Sequence, residues 1–400
     1  MAEANRHHGI TANEYTEGVR SISDISTAII GMVCTAEDAD EKVFPLNTPI
    51  FATSAYDLLA KAGTKGTLAK SLDAIVDQAD AQVVIVRVAE SKNTEEQKAN
   101  VIGTAEGGNY TGLKALRRAK AVTGFTPKIL GCPELDSQDV LTELVGVAQE
   151  TRAFAYGSAG GNPDITEVGN YRKNFGQREL MLIDNEFMAF DPTTKKTETA
   201  ATIARVLGAR AKLDKNVGWH KSISNTEING VSGLKFARSF DLLDKNCDAN
   251  TLNNKDVTTL IREDGFRVWG NRTCTNDSMM AFEVATRTAQ IIQETIASAF
   301  MWALDKPMHP SLMEDIIMAI NAKLAQYVNK GYILGARVFI DKTLNTSETV
   351  QAGQFTISYE FTWVPPLENM VFNQHVTDTF FVNLVDKVIT FANTLKPTTV

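Results

Sequence analysis

The chain has 400 residues, 44% of them hydrophobic and 22% charged, which suits two or three domains with cores of their own and excludes a lone small module. Its 40 Lys and Arg stand against 48 Asp and Glu, a net charge of −8, and no long basic run advertises a surface for nucleic acid. No stretch approaches the ~18 uninterrupted apolar residues of a membrane span, and residues 1–15 lack the basic and apolar regions of a signal peptide, so the expectation is a cytoplasmic chain without membrane insertion. The four cysteines, Cys34, Cys132, Cys247 and Cys274, are too scattered for a disulfide frame or a zinc site.

In chain order, residues 1–25 are polar, with only a weak alternation at Gly9, Ile10, Thr11, Ala12, Asn13, Glu14 and Tyr15, and cannot bury themselves. A β-branched apolar run at 26–34 predicts a buried strand. Short helices at 55–61 and 67–78 lead into 82–88, whose continuous apolar character predicts a strand covered on both faces. Strands at 128–133, 153–156 and 179–183, with a helix over 137–151, continue an α/β alternation with a mostly parallel sheet. From Asp277 the period becomes helical through Ala299, with Asn276 or Asp277 as the cap, and a second helix opens at Pro310 and ends before Gly331, giving an αα-hairpin. Strands near 337–340 and 354–362 make the C-terminal part α+β, and Pro365-Pro366 stops the second. At the chain end Phe380, Phe381, Leu384, Val385, Val388 and Ile389 fall on one side of a helix, although Val388, Ile389, Thr390 and Phe391 could also be strand. So many apolar groups need something to cover them.

The motifs do not assemble an active site. Gly63-Thr64-Lys65-Gly66-Thr67 resembles a phosphate loop, but Lys70 and Ser71 are not contiguous with Gly66, so backbone amides and lysine cannot converge on phosphates. Gly157-Ser158-Ala159-Gly160-Gly161 lacks dinucleotide spacing, and His220 has no serine context. His7-His8 supplies too few ligands for a metal; neither a cofactor nor a catalytic residue is expected. The segment Asp264-Gly265-Phe266-Arg267-Val268-Trp269-Gly270-Asn271-Arg272-Thr273-Cys274 looks like an active-site lip, yet Asp264-Gly265 and Gly270-Asn271 are turns flanking a strand. It reads as architecture, with Trp269 and Trp302 placed in the core.

That segment, followed by Thr286-Arg287-Thr288-Ala289-Gln290, Met301-Trp302-Ala303 and Asp305-Lys306-Pro307, resembles the contractile-tail sheath proteins of temperate enteric phages. The likeness extends back through Thr27-Ala28-Ile29-Ile30-Gly31, Gln177-Arg178-Glu179-Leu180-Met181 and Gly218-Trp219-His220-Lys221, and forward through Val364-Pro365-Pro366-Leu367-Glu368-Asn369, covering nearly the whole chain. It implies a structural subunit, not an enzyme: a helical homopolymer around a tail tube that contracts to drive the tube through the host envelope. Implied partners are further copies of the chain, the tail tube protein, the baseplate and the tail terminator, in a virion tail assembled in the host cytoplasm. Implied architecture is a discontinuous core domain (26–95 and 220–376), an inserted outer α/β domain of subtilisin-like topology (96–219), and terminal arms at 1–25 and 377–400. Gly9 to Tyr15 would add a strand to a neighbour, and the helix carrying Phe380 to Ile389 would be the opposite arm or face the tube. The alternative is a cytoplasmic α/β enzyme or nucleotide-binding protein using the middle sheet.

Overall fold

Continuous apolar strands need cover on both faces, and the sheet at the centre of the chain has it. The structure, a computed structural model, describes residues 22–191 and 195–395. Six strands lie in the order Ile50–Ala52, Val83–Val88, Ile30–Thr35, Ile129–Gly131, Phe154–Ser158, Leu180–Ile183. All neighbouring pairs are parallel except the edge strand Ile50–Ala52, which runs antiparallel to Val83–Val88. Alternate residues serve two cores. Ile30, Met32, Val83, Ile85, Phe154, Tyr156, Met181 and Ile183 face helices Leu68–Val76 and Thr202–Asn216. Val33, Val84, Val86, Ala155, Leu180 and Leu182 face helices Thr94–Ile102 and Gln138–Thr151.

Helix Leu68–Val76 buries Leu68, Leu72 and Ile75, spaced to lie on one side. It meets helix Thr202–Asn216 at Gly208, where a Cβ would come within 2.9 Å of the Ile75 carbonyl oxygen. Only glycine permits that approach. The expected domain line at 95/96 runs through the sheet, because strands on either side of it are hydrogen-bonded neighbours: Ile30 and Gly31 pair with Ile129 and Leu130.

Two small sheets extend this layer. Phe187–Asp191 lies between Lys196–Thr199 and Gly233–Leu234, and Phe266–Trp269 between Thr226–Glu227 and Thr259–Arg262. The latter is the strand of the segment from Asp264 to Cys274. Asp264 and Gly265 take the positive φ of its turn, and Val268 is buried. Phe266 meets Phe187 edge to face, and Trp269 meets Phe240 the same way. Trp269 and Trp302, expected in the core, are each half-buried, the second beneath the Lys306 ammonium at 4.4 Å.

Helices Glu283–Ala299 and Pro310–Asn329 and the hairpin Ile333–Phe339 with Ser358–Trp363 share a third apolar cluster containing Ile291, Ile292, Ile320, Leu324 and Ile333. The first helix starts five or six residues later than its cap signal predicts, depending on whether Asp277 or Asn276 is the cap. Asp277 does accept a hydrogen bond from the Met279 amide at 2.9 Å, but it caps only the 3₁₀ turn Ser278–Met280. The backbone then bridges Arg272 to Phe282, which must be extended (φ −94°, ψ 142°), and the helix begins at Glu283. The contacts of the chain divide after Pro366; Leu367–Val400 is a second unit, carrying helix Phe381–Thr394. The end of the chain is therefore helix through the stretch where strand was the alternative.

Candidate assembly interface

The places where an α/β protein would hold a ligand are filled by its own side chains. In the phosphate-loop-like segment the Asp38 carboxylate accepts the amides of Thr64 and Lys65, each at 2.9 Å, and the Thr64 hydroxyl at 2.9 Å. Those amides push the Asp38 pKa down to about 2. Thr67, just before the following helix, donates its amide to the Thr35 carbonyl at 2.9 Å, and a Cβ on Gly66 would lie 2.4 Å from the same oxygen. At the end of strand Phe154–Ser158, the Ser158 amide donates to half-buried Asp136 at 2.6 Å; desolvation raises that carboxyl to about 6. His220 stacks on Tyr332 with centroids 4.2 Å apart, and burial lowers its pKa.

A buried charge cluster joins the central layer to the C-terminal helices. Arg210 and Asp214, on one helix, meet Glu283 and Arg287, on another, at exposures of 0 to 2%. Arg287 grips Asp214 with both terminal nitrogens, at 3.0 and 2.5 Å, and Arg210 reaches Asp214 at 2.8 Å and Glu283 at 3.2 Å. Glu283 also accepts from the Tyr156 hydroxyl and, at 3.3 Å, from the Ile223 amide. Arg210 donates further to the carbonyls of Lys221 at 2.7 Å and Gly218 at 3.2 Å. Two cations and two anions balance, and the saturation with hydrogen bonds is what makes burying them tolerable. Reading the helices for apolar period missed this cluster. Its signal was there, as Arg210/Asp214 and Glu283/Arg287 are each an opposite-charge pair four residues apart.

Two open surfaces lie in the C-terminal region. The hairpin Ile333–Phe339/Ser358–Trp363 is a sheet of two strands, so among the described residues each strand has one edge without a strand partner. Such an edge is a template for another strand. One side of the hairpin packs Ala336, Val338, Tyr359 and Phe361 on the helices, while Leu334 is 61% exposed.

Beyond Pro366 every described residue is exposed. Phe380, Phe381, Leu384, Val385, Val388 and Ile389 show 71, 68, 59, 56, 58 and 52% of their surface. Five of them line helix Phe381–Thr394 at spacings of three and four. Covering such side chains stabilises by about 1.5–3 kcal/mol each, so an uncovered stripe of six is a strong drive to associate. The expected arm strand from Gly9 to Tyr15 lies outside the described residues. The first described residues, from Ile22, are held against helix Pro310–Asn329 by Lys323 and Tyr327. Among the described residues no helix is long and apolar enough to cross a membrane.

Three family descriptions match in succession: tail sheath protein Gp18 domain III N-terminal region over residues 27–88, phage tail sheath protein central domain over 108–274, and phage tail sheath C-terminal domain over 275–377. The tail sheath protein of Escherichia phage P2 is 49% identical over 389 residues, covering 96% of this chain and 98% of that one. The major tail sheath protein of Serratia phage KSP20 is 40% identical over 381 residues, covering 94% and 97%. Among solved structures, the contracted helical sheath of the anti-feeding prophage shares the fold at TM-score 0.70 and 16% identity, covering 93% of this chain and 99% of that one. The contracted sheath of the extracellular contractile injection system PVC gives 0.67 at 16% identity, covering 94% and 99%. A fold with its ligand positions occupied, an open hairpin edge, an exposed apolar stripe and relatives covering nearly the whole chain lead to one conclusion: the chain belongs to the phage tail sheath proteins, as a structural subunit of a contractile tail sheath.

Proposed function

We propose that the chain polymerises as a helical sleeve around a tail tube and contracts to drive that tube through the host envelope, its subunits linked by strands exchanged between terminal arms and the open hairpin. The observation that carries this is the pairing, on one chain, of an edge-exposed two-stranded hairpin with a terminal unit whose apolar stripe has no cover. Solved neighbours of the same fold are titled as helical sheath in the contracted state and as baseplate, which suits a polymer of this chain seated on a baseplate. The stretch from Gly9 to Tyr15 donates one strand, and the helix bearing Phe380, Phe381, Leu384, Val385, Val388 and Ile389 is the second arm or faces the tube. The tube protein and a tail terminator are the remaining partners, in a virion assembled in the host cytoplasm. The outward face is the α/β insertion of subtilisin-like topology over 96–219, whose strands Ile129–Gly131, Phe154–Ser158 and Leu180–Ile183 share a sheet with strands earlier in the chain.

Strand exchange suits a machine that must slide without falling apart, because main-chain hydrogen bonds persist while the connecting arms absorb rotation. An added strand of roughly five residues gains several hydrogen bonds at a net ~0.5–1.5 kcal/mol each. One link is modest, while many in a sleeve act together. The work of contraction comes from the extended packing and needs no nucleotide. The enzyme alternative is set aside: the family is structural, and the phosphate-loop-like turn is filled by Asp38.

Negative-stain electron microscopy of the purified chain over a range of salt tests the reading. Hollow striated tubes are expected from the full chain, and compact monomers after removal of residues 2–20. Normal tubes from the truncated chain would sink the arm hypothesis.

A further inference from the structure

Lys323 is a buried lysine whose charge is answered from the far end of the sequence. Its side chain is 4% exposed, and its ammonium donates to the Ile22 carbonyl at 2.8 Å, the Asp24 carboxylate at 2.9 Å and the Gln326 side-chain oxygen at 3.1 Å. One turn on, the buried Tyr327 donates its hydroxyl to the same Asp24 oxygen at 2.5 Å. Ile25 seats in the apolar cluster beneath. The chain is thus bolted to helix Pro310–Asn329 just before it turns into strand Ile30–Thr35. A buried ammonium with two of its three partners on one short segment is costly if that segment leaves.

The same helix supports the hairpin. Ile320, Leu324 and Tyr327 share a cluster with Ile333, Ala336 and Val338. One rigid element therefore holds both the root of the N-terminal arm and the hairpin that would accept a neighbour's strand. A regular helical polymer needs a constant offset between what each copy gives and what it receives.

We propose that Asp24, Lys323 and Tyr327 are positioning residues that fix where the N-terminal arm leaves the body, and that this fixed exit sets the register of strand exchange between copies. The proposal rests on the arm reading above. It also places the permissible truncation: removal may reach residue 20, but a cut past Asp24 strips Lys323 of two of its three partners.

The test pairs three chains: the wild type, the deletion of residues 2–20, and the double variant Asp24→Ala/Lys323→Met. The double variant removes both charges together, so no buried ion is stranded and the monomer should melt within a few degrees of the wild type. Hydrogen exchange should show residues 22–25 losing protection while helix Pro310–Asn329 keeps it. Pelleting assays and negative-stain images, under conditions in which the wild type forms tubes, should show at least a tenfold loss of tubes, with irregular diameters among those left. Regular tubes at wild-type yield from a variant whose root has lost protection would overturn the positioning role, as would a root that stays protected without the two charges. If the deletion of residues 2–20 also forms regular tubes, it is the arm reading itself that fails, and the two failures are told apart by which chain assembles. Tyr327→Phe, which keeps the ring and loses only the hydroxyl, should reduce tube yield less than the double variant.

Discussion

In the body of the chain four ionised side chains lie at 0 to 2% exposure and each is answered by the others, whereas from Leu367 onward every described residue, apolar or charged, faces solvent. In the first region the opposite charges of the cluster are matched and hydrogen-bonded, and alternate strand residues fill two cores. The second holds an amphipathic helix whose apolar side chains are more than half exposed. The buried charges that hold the subunit together and the exposed apolar stripe thus lie in different units of the chain. A sheath needs that separation, since its subunits must survive a change of neighbours without unfolding.

The comparison breaks most visibly at the charge cluster. Arg287→Met should cost about 3–5 kcal/mol of unfolding free energy, because it strands Asp214 with only Arg210. A denaturant midpoint unchanged from wild type would mean the cluster does not couple the two layers. At the other end, Val388→Asp with Ile389→Asp should leave the monomer's unfolding midpoint where it was and cut incorporation into tubes at least a hundredfold, about 3 kcal/mol at 1.4 per tenfold. Sedimentation of mixed wild-type and variant chains reads this directly, and equal incorporation would contradict the docking role of the helix.

Asp136 sharpens the comparison through pH. Its folded pKa of about 6 lies above the ordinary value of 3.8, so the folded state holds its proton longer than the unfolded chain. Its contribution to stability is full below the unfolded value and is lost as pH rises from about 4 to 6. Asp136→Asn should flatten that part of the profile and be more stable than wild type at pH 7 by on the order of 2 kcal/mol. Paired urea titrations at pH 4 and 7 check the sign; a variant that loses stability at pH 7 would refute it. The smallest effect belongs to the exposed pair of Lys65 and Glu37, with side chains 61 and 67% exposed at 3.0 Å: Lys65→Ala should leave the melting temperature unchanged, since solvent and salt screen what the buried cluster feels. A clear drop would show that the turn leans on this pair rather than on Asp38.

Much of the fold was legible along the chain. The continuous apolar runs announced Val83–Val88, Ile129–Gly131 and Leu180–Ile183, and spacings of three and four announced Leu68–Val76, Gln138–Thr151, Pro310–Asn329 and the exposed stripe of Phe381–Thr394. These are local signals, because a strand or helix shows in the period of its own residues which of its sides must leave water. The exposed apolar stripe at the end of the chain was legible for the same reason. The sheet order was not legible, nor the antiparallel edge Ile50–Ala52, the delayed start at Glu283, the Asp214–Arg287 pair 73 residues apart, or the Asp24–Tyr327 bond 303 apart. Which strand lies beside which, and which buried charge answers which, depend on residues remote in sequence that meet only after the chain has collapsed. Each choice is settled by the cost of leaving a backbone edge or an ion unpaired in the interior, a cost that arises only once there is an interior.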